Sequence, residues 1–266
     1  MSAHRFHAPV SALLRETAET IVMPRFQALA AHEIAEKSPG DIVTVADHES
    51  EERLSAALAA ICPEARIVGE EAAVENPAML DELGEGMVWL VDPLDGTTNF
   101  SEGVTPFAIM VALLVDGETE AGWIYDPVAR RMCHAHRGNG AFVDGRSIRA
   151  RPTGEPRPIA ALGVHFLSED ERAGLERRAG GKLRIVAIPR CAGEQYPRLA
   201  LGENDMTLFA RSWPYDHAPG ALLLAEAGGK TAWPDGTLYT PTKRRPGLLS
   251  AATPQLWDQA AEILFG

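Results

Sequence analysis

The chain has 266 residues, enough for one large domain or two of ordinary size around a sizeable core. Its composition, 45% hydrophobic and 23% charged, excludes intrinsic disorder and fibrous repeats. With 25 Lys and Arg against 37 Asp and Glu, the formal charge of −12 argues against a nucleic-acid or anionic-membrane binder working through its own field. An anionic substrate would therefore need a locally recruited cation. Three scattered cysteines, Cys62, Cys133 and Cys191, form no CxxC pair, so neither a disulfide framework nor a thiolate zinc site is expected. The apolar stretches fall short of the ~20 residues of a membrane span and the first residues do not read as a secretory signal, so a cytoplasmic protein is expected.

In chain order, Val10, Leu13, Leu14, Ala18, Ile21 and Val22 have helical spacing, interrupted by Pro24. A second amphipathic helix is predicted from about Asp47 to Ile61, burying Leu54, Leu58 and Ile61. Strands follow at Arg66–Gly69, Met87–Val91, Phe107–Val115 and Gly122–Tyr125, with hairpin signals at Asp116-Gly117 and Asp144-Gly145. The Pro- and Arg-rich stretch Arg149–Pro158 reads as a boundary. Beyond it, predicted strands at Ile159–Val164, Leu183–Ile188 and Met206–Ala210 alternate with helices, among them Ala218–Ala227 and Gln255–Phe265. The pattern predicts a mixed fold: residues 1–148 as helices on an antiparallel sheet, and residues 149–266 as a smaller α/β part.

Several tempting motifs fail on counting. Gly228-Gly-Lys-Thr231 follows a helix instead of opening one and lacks the first glycine of a phosphate loop. His32-Glu-Ile-Ala-Glu36 ends in glutamate where a zincin has histidine, and a calcium loop counted from Asp92 reaches Gly103 at its twelfth position instead of glutamate.

What remains is acidic. Gly69-Glu-Glu71, Asp92-Pro-Leu-Asp-Gly-Thr-Thr-Asn-Phe100 and Trp213-Pro-Tyr-Asp-His-Ala-Pro-Gly220 bring carboxylates to element ends. Asp92 closes a buried strand, Pro93 should stop strand pairing there, and Gly96 permits a tight turn, so Asp92 and Asp95 share one rigid rim. Two carboxylates ~4 Å apart repel by about 4 kcal/mol at an effective dielectric of 20, so such a cluster needs cations or must protonate. All-oxygen donors favour magnesium, manganese or calcium. Each acid also has an ordinary reading: Asp-Gly as turn chemistry, Asp216 as the N-cap of the helix that follows, Asp47 as a cap, and Glu70 and Glu71 as solvated loop acids.

Taken together, GEE, then DPLDGTTNF, then Asp216 before a helix ending in EAGG resemble the inositol monophosphatase family, within the metal-dependent, lithium-sensitive sugar phosphatases. Lys37-Ser-Pro-Gly-Asp-Ile-Val-Thr-Val-Ala-Asp47 also matches that family's N-terminal loop, so the resemblance spans nearly the whole chain. It implies a layered αβαβα sugar-phosphatase fold and a phosphomonoesterase using two or three Mg²⁺ ions, with Mn²⁺ as a substitute. By this resemblance Glu70, Asp92 and the Leu94 carbonyl hold one ion, and Asp92 bridges to a second completed by Asp95 and Asp216. A third would sit near Glu70 and Asp47. The attacking water would be oriented by Glu70 and the Thr97 hydroxyl, with Asp47 supporting the threonine. Asp95, Gly96, Thr97, Gly193, Glu194 and Asp216 would contact the substrate, the Gly96 and Thr97 N–H groups facing its phosphate. The resemblance further implies a homodimer.

The expected substrate is a small sugar or polyol phosphate, inositol-1-phosphate-like. Relatives that bind ring hydroxyls often carry an acid seven positions before the residue matching Asp216; here that position is Phe209. Arg190, Glu194 and Arg211 are candidate pocket residues, and Lys243-Arg-Arg245 a candidate for a second phosphate or simply a solvated loop. Histidinol phosphatase, fructose-1,6-bisphosphatase and bisphosphate nucleotidase are the alternatives within the superfamily, and a non-catalytic metal-binding regulator is the alternative from another class.

Overall fold

A computed structural model describes residues 4–38, 40–165 and 167–266. The chain opens with α1 (His7–Thr17), a π-helical turn at Ala18–Val22 and the short α2 (Met23–Arg25). Pro24 cannot donate a main-chain hydrogen bond, and the helix stops one residue after it as Phe26 turns extended. A hairpin of β1 (Ile34–Ser38) and β2 (Asp41–Thr44) leads into α3 (Val45–Ile61). Pro39, within the segment that carries part of the family resemblance, lies outside the described residues.

The strands β3 (Arg66–Gly69), β4 (Met87–Asp95), β5 (Ala108–Val115), β6 (Glu118–Asp126), β7 (Arg131–His136), β8 (Gly140–Val143) and β9 (Arg146–Ile148) form a seven-stranded sheet in sequence order. Between them lie α4 (Glu70–Glu75), a 3₁₀ turn at Pro77–Glu82 and α5 (Thr97–Ser101). Only the β3–β4 pair is parallel, which qualifies the expectation of an antiparallel sheet.

The back half carries β10 (Ile159–Leu162), α6 (Glu169–Ala179), β11 (Arg184–Val186), α7 (Ala192–Leu201), β12 (Met206–Phe209) and α8 (Pro214–Glu226). It ends with β13 (Lys230–Ala232), β14 (Leu248–Ala251) and α9 (Pro254–Phe265). Its five strands are ordered β11-β10-β12-β14-β13, parallel around β10 and antiparallel around β14.

Side-chain alternation explains the stacking. On β4, Trp89 and Val91 join Val10, Leu14, Leu54 and Leu58 of α1 and α3, whereas Val88 and Leu90 join Tyr215 and Ala218 of α8. With both faces covered, the strand reads as one unbroken apolar run. Leu222 and Leu223 of α8 pack on Met110 and Ile124, while Leu224 joins Tyr196 and Leu199 of α7 and Phe209 and Leu248 of the second sheet. Leu208 and Leu249 face outward onto Leu175, Trp257 and Leu264 of α6 and α9. The result is an αβαβα stack with α7 and α8 as the middle layer between the two sheets. α8 lies close on β6: a Cβ on Gly122 would come 2.8 Å from Pro219 Cα. Among the described residues, no helix is long and apolar enough to cross a membrane.

Candidate active site

The site grows from the end of β4. Pairing holds to Asp92↔Met110, breaks into a bulge, and resumes at Asp95↔Ala108. Pro93 therefore does not end the strand, as the sequence led us to expect. It falls inside the bulge, where its missing N–H leaves no gap in the ladder. The kink directs Asp92 and Asp95 toward a common cleft, and Leu94 N–H donates to Asp92 Oδ1 (3.1 Å). Gly96 then takes a left-handed conformation (φ 86°) and starts α5.

Thr97 is the first residue of α5. Its hydroxyl lies 2.9 Å from both Asp47 Oδ1 and the Leu94 carbonyl. Asp47 sits in the first turn of α3, where Thr44 is the N-cap and donates to Asp47 Oδ2 from both its N–H (2.8 Å) and its hydroxyl (2.6 Å). Asp47 thus anchors a helix start and grips Thr97 with its other oxygen. Burial pushes its pKa up to about 6, against the Thr44 hydrogen bonds that pull it down.

Glu70 and Glu71 open α4, whose first N–H groups are capped from outside. Glu51 of α3 accepts from Glu71 N–H (2.8 Å) and Ala72 N–H (2.9 Å). Lys37 Nζ lies 3.1 Å from Glu70 Oε1 and 2.7 Å from Glu71 Oε1, with its side chain only 9% exposed. Burial alone would lower the Lys37 pKa, but the two glutamates outweigh it and raise it. The sequence reading assigned Lys37 no role, although it lies in the segment matching the family's N-terminal loop.

Asp216 is not the N-cap expected from sequence. Trp213 caps α8, Pro214 begins it, and Asp216 stands one position further into the first turn than Tyr215. Its carboxylate joins those of Glu70 and Asp92, with one oxygen from each within 4.8 Å of the others. Asp95 is held from the far side by α7: Gly193 N–H donates to Asp95 Oδ2 (2.6 Å). A Cβ on Gly193 would meet Ala108 Cβ at 2.6 Å and Asp95 Oδ2 at 3.2 Å, so only glycine allows this approach.

The electrostatics follow from the crowding. Burial, then Glu70 and Asp95, hold the Asp92 pKa well above the ordinary carboxylate range, and burial, Glu70, Asp95 and Asp41 do the same for Asp216. Burial raises Glu70 to about 8 despite Lys37, and raises Asp95 to about 6 despite main-chain donors that include Gly193 and Gly96. Buried acids forced together in this way favour occupation by a cation.

The cleft holds about 880 Å³ and is lined by Glu70, Asp92, Asp95, Thr97 and Asp216 on its acidic floor. Phe209, Trp213, Tyr215 and Ile188 form apolar walls, with His165, Arg190 and Arg211 among the remaining lining residues. Arg190 also donates to Asn99 Oδ1 (3.2 Å) and Glu102 Oε2 (3.1 Å). Glu194, expected at the substrate, does not line the cleft; its two carboxylate oxygens are taken by Arg131 and by Arg198. Arg244 and Arg245 are paired with Asp81 and Asp235, and neither they nor Lys243 line the cleft.

The sequence profile described as the inositol monophosphatase family matches residues 6–264. Inositol-1-monophosphatase of Bacillus subtilis is 30% identical over 234 residues, covering 85% of this chain and 84% of the relative. Nus factor SuhB of Pseudomonas aeruginosa is 30% identical over 233 residues, covering 80% of each. The solved structure of extragenic suppressor protein suhB from Bartonella henselae superposes with a TM-score of 0.84 at 24% identity, covering 98% of this chain and 99% of that one, a likeness of fold.

Proposed function

We propose, on the premise that the chain belongs to the inositol monophosphatase family and is a phosphoric monoester hydrolase, that it cleaves a small sugar or polyol phosphate of the inositol-1-phosphate kind with Mg²⁺. The observation that carries the metal is the convergence of Glu70, Asp92 and Asp216, three acids from distant segments with oxygens within 4.8 Å. An all-oxygen, multiply anionic donor set suits a hard divalent cation, and its mutual repulsion is relieved by one. Mg²⁺ fits it, with Mn²⁺ as a substitute.

In this reading Glu70, Asp92 and the Leu94 carbonyl would hold one ion, Asp92, Asp95 and Asp216 would hold a second, and Glu70 with Asp47 would hold a weaker third. Bound there, the cations supply the positive field that a dianionic ester and its leaving alkoxide require, which this acidic chain otherwise lacks. The remaining work falls to the side chains. The Thr97 hydroxyl donates to Asp47, which fixes its rotamer and turns its lone pairs toward the attacking water. Glu70 receives a proton from that water at its carboxylate. The Gly96 and Thr97 N–H groups at the start of α5 are the main-chain donors for the phosphate.

The leaving alcohol faces the apolar walls. Phe209 stacks on Tyr196 (centroids 5.3 Å, 28°) and meets His217 edge-on (4.6 Å, 66°), so a ring-hydroxyl contact from this position is absent. That keeps histidinol phosphate, fructose-1,6-bisphosphate and adenosine bisphosphate in the substrate panel beside inositol-1-phosphate. A cytoplasmic homodimer, inhibited by lithium, is part of the same reading.

The test is phosphate release from that panel with and without Mg²⁺, in wild type and Asp92→Asn. Mg²⁺-dependent turnover lost in Asp92→Asn supports the assignment; substantial turnover in that variant overturns it. A second reading, a regulator that keeps the acidic cage without turnover, is favoured by the name of the SuhB relative. Absence of phosphate release from every ester would select it.

A further inference from the structure

A second cluster of metal-binding side chains lies away from the acidic cleft. His134 and His136 are two apart on β7 and therefore share one face of it, the face covered by α1. The first residue of α1 is His7, and its ring centroid is 3.9 Å from that of His134 and 5.6 Å from that of His136. One nitrogen from each of the three rings lies within 4.8 Å of the others. His4 stands next to them, its centroid 5.2 Å from that of His136. Strand β7 is three strands from β4, about 14 Å across the sheet at ordinary strand spacing.

Proximity alone does not make a site, but the hydrogen-bond inventory points the same way. His134 is 5% exposed and His136 2%. Both ring nitrogens of His134 and Nε2 of His136 are buried with no partner among the described residues. A buried polar atom left unpaired costs about 1–3 kcal/mol, and here three such atoms lie on two neighbouring rings, those of His134 and His136. Burial also lowers the pKa values, to about 3 for His134 and about 4 for His136, and below the ordinary value for His4 and His7. All four are then neutral at pH 7, the form that donates a lone pair to a metal.

The surroundings supply support and an entrance. Phe142 stacks flat on His134 (centroids 5.0 Å, 11°), fixing its ring plane. Trp123 Nε1 donates to His7 Nδ1 (3.2 Å), which also lies 3.4 Å from Ser11 Oγ, and these contacts fix the His7 ring beside His134. His4 and His7 are only partly buried, so the site opens to solvent at the N-terminal end of α1.

We propose that His7, His134 and His136 form a second, nitrogen-donor metal site for a borderline divalent ion of the Zn²⁺ type, clamping the start of α1 onto β7. Imidazoles alone select such ions over Mg²⁺, which keeps to the oxygen cage. Zn–N bonds are ~2.0–2.1 Å, so binding draws the three nitrogens inward by about an ångström. The site does not depend on the phosphatase reading.

The experiment uses untagged, chelator-treated full-length protein in excess Mg²⁺, titrated with Co²⁺ as a spectroscopic stand-in. The expected result is one equivalent bound with the visible bands of a tetrahedral nitrogen site, bleached by Zn²⁺. His7→Ala and His134→Gln should each weaken Co²⁺ by at least the about 10–100-fold typical of losing even a supporting partner, while Asp92→Asn leaves the titration unchanged. His7 is part-exposed, so its variant tests the site even if His134→Gln folds poorly; circular dichroism and retained Mg²⁺-dependent phosphate release check both. No visible band in wild type, bands that persist in His7→Ala and His134→Gln, or bands lost in Asp92→Asn would each overturn the proposal.

Discussion

Thr97 Oγ1 lies 2.9 Å from Asp47 Oδ1, although the two residues are 50 positions apart. Asp47 is meanwhile fixed by two hydrogen bonds from Thr44. The hydroxyl is therefore oriented by a helix start that stays rigid for reasons of its own. We expect Thr97→Val to lower kcat by about 10²–10⁴-fold, the range for a positioned proton-handling group, with little change in Tm. Thr97→Ser, which keeps the hydroxyl, should recover most of the loss. Steady-state kinetics beside a thermal melt checks this; an active Thr97→Val would remove Thr97 from the reaction.

Chelation should expose the repulsion inside the cage. Asp47 and Asp95 are raised to about 6 and Glu70 to about 8, so between pH ~4 and ~8 the folded protein holds more protons than the unfolded chain. In EDTA, stability should then fall as pH rises through that window, and added Mg²⁺ should flatten the dependence. Urea unfolding at several pH values with and without Mg²⁺ measures it. A stability that rises with pH in EDTA would contradict the electrostatic account.

Lys37 is the ammonium group within salt-bridge distance of Glu70 and Glu71. Lys37→Met leaves both acids without it, and breaking a buried pair costs ~3–5 kcal/mol, with the lower end expected because Glu70 is partly exposed. The loss should be largest in EDTA and be offset by Mg²⁺, so the Mg²⁺-induced rise in Tm becomes larger than in wild type. An unchanged melting curve in EDTA would show that the pair contributes little.

Gly193→Ala places a methyl group against Ala108 and Asp95. The overpacking should cost about 1–3 kcal/mol and displace the Asp95 carboxylate from the Gly193 N–H. We expect weaker Mg²⁺ binding by calorimetry together with the lower Tm. Wild-type affinity in a destabilised variant would separate the packing of α7 from the metal ligands.

The sequence carried the site in its local syntax more than in its long-range partners. DPLDGTTNF announces two acids at the mouth of a core strand and a tight turn at Gly96, and both are present, although the strand runs on to Asp95. It did not announce the bulge that lets Asp95 resume pairing, because a proline in a strand reads equally as its end. Asp216 was found, but its place in the first turn of α8 was not, since Pro219 inside the helix resembled a helix start. Helix α7 escaped notice for a similar reason: Pro197 lies within it and its first turn is polar. β13 and β14 are three and four residues long, too short for periodicity to register. Lys37, Glu51 and the Arg131 partner of Glu194 were beyond reach because contacts across 20 to 63 positions leave no mark on local pattern.

The snug seat of α8 on β6 at Gly122 has a consequence for how this cage would fail. Asp216 rides on that helix, while Asp92 belongs to the sheet beneath it. The gap between those two carboxylates is thus gauged by a residue with no side chain, remote from the chemistry and carrying no charge. Lineages of this enzyme that drift at the glycine would have to widen or tilt the middle layer, and their appetite for cations of different radius would shift without a single ligand being replaced.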